Sequence, residues 1–165
     1  MLSTLQGQPV VAQHTGETVG AVADWVIDPG KGKVEAFELS GGRFVSPVDV
    51  LNYLDAGLVV ASRDAAQSPD ELVRVKKLLS ERCRLIGCKT VTERGKRLGK
   101  VKDGLVDTTS LFIAKIYVQP QLWNRIFQEE RIIPREQVVT MTPKQVVVRY
   151  DVKPQASEVE AEPAQ

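Results

Sequence analysis

The residues of this chain best suited to chemistry are four aspartates that recur in pairs. Asp24 and Asp28 follow Gly16 and Gly20, and Asp103 and Asp107 follow Gly95 and Gly99, all at a constant offset of 79 residues. Paired carboxylates can move a proton or hold a cation. Their spacing here lacks the dense oxygen ligands of a calcium loop, and aspartates beside turns commonly satisfy backbone N–H groups. A role in building the fold explains why both copies carry them. Gly16, Gly20, Asp24, Asp28, Gly95, Gly99, Asp103 and Asp107 are therefore read as fold-determining, and no metal site is expected.

The other reactive side chains are few. His14 is the only histidine, so any Ser-His-Asp or Cys-His arrangement would need it, yet it sits in a Thr-Gly turn where an exposed loop histidine is the simpler reading. Cys83 and Cys88 have neither zinc nor disulfide-framework spacing; Arg84 and Lys89 beside them could lower a thiol pKa and permit redox sensing, against a background of small apolar packing. Gly95-x-x-x-Gly99-Lys100 lacks the Ser/Thr and the spacing of a phosphate-binding loop. No catalytic residue and no cofactor follow from these patterns, and the chain is expected not to be an enzyme.

Charge is more informative. The net charge of +1 conceals a basic middle: residues 74–102 carry eleven Lys/Arg against Glu81 and Glu93 alone. Arg94, Lys96, Arg97, Lys100 and Lys102 fall on one turn and one strand, where Lys100 and Lys102 share a face. The first copy has Glu17, Thr18, Ala21 and Ala23 at the corresponding places, so the fold does not require these charges. A solvated face that balances the acidic first domain is the simpler reading; as partner-binding candidates these residues would face an acidic protein, RNA or a ribosomal surface, or an anionic membrane. The segment has no aromatic residue to stack bases, which argues against single-strand recognition. Trp123 and Phe127, at helical spacing with Leu122 and Ile126, are the other partner-binding candidates if exposed.

The elements that carry these residues form two similar sets. Each begins with a Leu-x-Gly strand, Leu5 to Val11 and its counterpart at Leu85, followed by a glycine turn. Long strands over 18–27 and 97–106 follow, then alternating strands over 34–39 and 111–118. In the first copy, Arg43 to Val45, a Pro47 turn and a closing strand over 58–62 complete the set; Pro134 and Val146-Val147 answer them at an offset of 87. Short strands with Gly/Pro turns mean small β-barrels. Ser68-Pro69-Asp70-Glu71 is a capping box opening a connecting helix over 69–83, with Leu72, Val75, Leu78 and Leu79 on one face. A second helix is expected in the insert over 120–130. The predicted domains are 1–66, a first barrel; 67–83, the connecting helix; 84–152, a second barrel; and 153–165, a disordered acidic tail. Domains this small are marginal alone, so packing on each other or homo-oligomerisation is expected.

The pattern Leu-x-Gly, then Gly-x-x-x-Gly-x-Val-x-Asp-x-x-x-Asp, an alternating strand and a Pro-led turn resembles the PRC-barrel family over residues 5–63 and 85–150. That family includes the cytoplasmic domain of the photosynthetic reaction-centre H subunit and the C-terminal domain of a ribosome maturation factor. The resemblance implies an all-β-dominated fold of two tandem barrels acting as docking surfaces, with no catalytic residues. An assembly adaptor for protein partners is the expectation. A ribosome-associated factor and a peripheral assembly protein of a photosynthetic or membrane complex are the alternatives. No apolar run reaches the ~18 residues of a membrane span. The opening residues lack a basic start and an apolar signal core, which with two cysteines points to a reducing cytoplasm.

Overall fold

The computed structural model describes residues 1–81, 84–120 and 130–149. The first copy opens with one helical turn, α1 (Leu2–Leu5), and continues through strands β1 (Pro9–Ala12), β2 (Thr18–Asp28), β3 (Lys33–Leu39), β4 (Phe44–Val45), β5 (Val50–Leu54), β6 (Gly57–Val60) and β7 (Ala66–Gln67). They form one sheet in the order β5-β6-β1-β2-β3-β4-β7. All pairs are antiparallel except β1 with β6, where Val10 lies beside Leu58 and Ala12 beside Val60. The long strand β2 makes the corner. Its first residues pair with β1 and its remainder with β3, and a bulge beside Gly20 bends it between the two.

The second copy repeats the plan with β8 (Lys89–Thr92), β9 (Arg97–Val106), β10 (Ile113–Gln119), β11 (Arg131–Pro134), β12 (Val138–Met141) and β13 (Gln145–Val148), in the order β11-β10-β9-β8-β13-β12. β9 is its corner strand, bulged beside Gly99, and β8 with β13 is its parallel pair. The offset after the insert is 88, not 87: Leu58 and Val60 of β6 correspond to Val146 and Val148 of β13, buried alike.

Several expectations are corrected. Leu5 belongs to α1 and not to a strand; Gly7 turns the chain at a φ of +81° before β1 begins. β5 and β7 had no counterpart in the sequence reading. The connecting helix α2 runs over Val73–Ser80, shorter than 69–83, because Ser68 and Glu71 close a separate turn ahead of it. There the Ser68 N–H donates to Glu71 Oε2 at 2.6 Å. Its Val75 and Leu78 pack on Val26, Ala36 and Phe44, so it docks on the first copy. The helix expected in the insert lies outside the described residues, over 121–129, as does the tail after Arg149.

The two copies meet about an approximate two-fold axis. The β2–β3 and β9–β10 turns join through a short antiparallel bridge. In it the Val34 N–H donates to the Leu111 carbonyl at 3.0 Å and the Ile113 N–H to the Gly32 carbonyl at 2.9 Å. Gly32 and Leu111 are equivalent, at φ of +68° and +65°. The lead-in of each copy also reaches the other's long strand. Ser3 donates its N–H and its hydroxyl to Asp103, and Arg84 Nε lies 3.6 Å from Asp24 Oδ2. Leu2 packs where Gly104 has no side chain, and one apolar core runs through both copies.

The corner at Gly99 sets a prediction. A Cβ there would stand 2.0 Å from the Gln119 carbonyl oxygen at a φ of +148°, whereas at Gly16, φ +69°, it would meet open space. Gly99→Ala is expected to lower stability by about 3 kcal/mol and Gly16→Ala by about 1 kcal/mol, read as shifts of the urea midpoint.

Candidate docking interface

The basic segment becomes a surface because β9 alternates. Leu98 and Val101 point into the core while Arg97, Lys100 and Lys102 stand exposed. The sheet adds a cation to the five on the turn and strand: Lys89 of β8 stands directly opposite Lys100. Carried across four strands, this register forms an exposed row Gln119, Lys100, Lys89, Gln145. The next row toward the β8–β9 turn is Arg97, Val91, Val147, Thr140. Lys89 was findable from its alternation with Thr90 and Thr92, but only the pairing of β8 with β9 shows which residue it faces.

Directly opposed residues in an antiparallel pair have Cα atoms roughly 5 Å apart, and like charges placed so are destabilising. In water the repulsion stays below about 1 kcal/mol, and salt screens it. The first copy has Pro9 opposite Ala21 at the same place. Arg94 and Lys96 extend the positive region onto the exposed β8–β9 turn. Lys102 Nζ lies 3.4 Å from Glu130 Oε1, a surface pair of little strength. Trp123 and Phe127 lie outside the described residues, and Cys83 does too.

The four aspartates do not converge on one site. Asp28 Oδ1 accepts the N–H groups of Gly30 and Lys31 at 2.9 and 3.3 Å. Asp107 Oδ1 accepts those of Thr109 and Ser110 at 2.9 and 2.7 Å. Asp24 and Asp103 each accept the N–H of the next residue, Trp25 and Gly104. Among the described residues no group of three His, Cys, Asp or Glu is placed to hold a metal ion. His14 is exposed in the β1–β2 turn. Cys88 is buried, with its sulfur 2.7 Å from the Arg84 carbonyl oxygen, and desolvation pushes its thiol up. That is the reverse of the activated thiolate that neighbouring Arg84 and Lys89 could produce.

Two repeated β modules of the same strand order, joined at their turns over one shared core, define a small β-barrel module. The chain belongs to the PRC-barrel family: the model of the PRC-barrel domain matches residues 2–65 and again 79–153. PRC-barrel domains are typically non-catalytic modules. No curated protein matches the chain. No helix among the described residues is long and apolar enough to cross a membrane.

Asp28 also joins α2 to the barrel, with Arg74 3.0 Å away, and Arg74 lies 3.3 Å from Glu35 as well. Burial pushes the Asp28 carboxyl up, but the Arg74 guanidinium and the Lys31 and Gly30 N–H groups outweigh it and hold the carboxyl below its ordinary value. A carboxyl depressed on folding stabilises the protein above its unfolded pKa, and that contribution is lost as pH falls through the folded pKa. Asp28→Asn is expected to cost on the order of 1 kcal/mol at pH 7 and progressively less as pH falls below the ordinary carboxyl range, measured by urea unfolding across that range.

Proposed function

We propose that this protein is a non-catalytic docking module whose second barrel binds an acidic segment of a protein partner on the β8–β9 face. The opposed Lys89–Lys100 pair carries the reading. It is a mildly unfavourable arrangement that the sister copy builds without charge, and a bound anion would relieve it. Flanking Gln119 and Gln145 offer amide hydrogen bonds to carboxylates, and Val91 and Val147 offer a half-buried apolar strip one row away. The two rows contain no aromatic ring, so a peptide suits them better than single-stranded RNA.

The test is fluorescence anisotropy with a Glu-rich peptide and with an RNA oligomer, at salt from about 50 to 300 mM. The peptide is expected to bind more weakly as salt rises. Lys89→Glu with Lys100→Glu is expected to reduce its affinity at least about tenfold while the circular dichroism spectrum stays unchanged. RNA binding tighter than the peptide's at equal salt would overturn the protein reading in favour of a ribosome-associated role.

A further inference from the structure

The closing strand delivers the C-terminal segment to the basic face. The Glu93 N–H donates to the Val148 carbonyl at 2.9 Å, so the chain leaves β13 beside the β8–β9 turn that carries Arg94 and Lys96. Arg149 is the last described residue. Beyond it the sequence reads Ser157-Glu158-Val159-Glu160-Ala161-Glu162, with a glutamate at every second position.

We propose that residues 158–162 occupy the basic face of their own second barrel and that an acidic partner must displace them. This rests on the docking function given above and names its regulation. Charge sign and spacing both match. In extended chain, alternate residues stand about 6.7 Å apart on one side. The row of Arg97 and the row of Lys100 and Lys89 are separated by one such step, since Val91 and Lys89 mark them on β8. Consecutive glutamates can therefore meet consecutive cationic rows, leaving Val159 and Ala161 on the other side.

Length sets no obstacle. Lys89 lies three residues along β8 from Thr92, the partner of Val148, a distance of about 10 Å. The nine residues from Arg149 to Glu158 can span up to about 30 Å. Tethering raises the local concentration of the glutamates to the millimolar range. Single exposed ion pairs are weak, so a segment held by a few of them remains displaceable.

The experiment compares the full chain with a Glu158→Gln, Glu160→Gln, Glu162→Gln variant in two ways. At low salt, backbone amide NMR shifts are expected to differ at Lys89, Arg97 and Lys100, and the differences are expected to vanish at high salt. Affinity for a poly-glutamate peptide is expected to rise at least about fivefold in the variant. Peptide binding of equal strength with unchanged shifts would overturn occupancy by the tail and leave the docking function standing. Peptide binding by neither protein, with the NMR differences absent, would overturn the docking function itself. Shift differences that grow with protein concentration would overturn occupancy within one chain in favour of exchange between copies.

Discussion

The two backbone hydrogen bonds between the β2–β3 and β9–β10 turns are the constraint on which the rest of the molecule depends. They are reciprocal, so they place Lys33 and Phe112 at the centre of an approximate two-fold axis. With the turns locked tip to tip, the lead-in of each copy falls against the other's corner strand. Ser3 then finds Asp103, and Arg84 approaches Asp24. The joint also requires a left-handed residue in each turn. Gly32 meets that without strain, while Leu111 adopts it despite its side chain. Two domains too small for a comfortable core share one, as two subunits of an isologous dimer would.

Much of this was legible because a repeat states its own rules. The glycine and aspartate spacing marked both corner strands, and β9 has the boundaries its alternation predicts. What escaped notice was set by contacts distant in sequence. β5 shows no clean alternation, since it lies at a sheet edge with Leu51 and Leu54 half exposed. β7 is two residues long and exists only because β4 is there to pair with it. α1 is one turn, beneath the length at which helical periodicity can be read. The capping box at Ser68 is real chemistry in the wrong place, closing a turn and leaving Leu72 to begin the helix. Of the candidate interface, the β9 cations and Lys89 were visible by period two, but the opposition of Lys89 to Lys100 was not, because facing is a property of pairing.

The shared parts of the copies and their differences separate cleanly. Equivalent aspartates accept equivalent N–H groups, equivalent glycines allow equivalent bends, and the same strand order results. The charged row is superimposed on one copy alone. Duplication supplied a second barrel whose outer face could change without disturbing the joint, since Leu98 and Val101 of β9 hold the core while the outward residues of β8 and β9 touch solvent. The helix α2 is asymmetric in the same way, adding its small apolar cluster to the first copy only.

The parallel strand pairs impose an order of events on folding. β1 cannot close against β6 until Leu58 to Val60 are available, and β8 must wait for Val146 to Val148. Each parallel pair therefore closes only when a strand near the end of its copy is made, and contacts of such long sequence separation form slowly. On a ribosome the first barrel is complete while the second is still unmade. Its α1 must then remain undocked until Asp103 and Gly104 have emerged. A chain that looks like a symmetric pair in space is assembled as a sequence, with its first few residues among the last to settle.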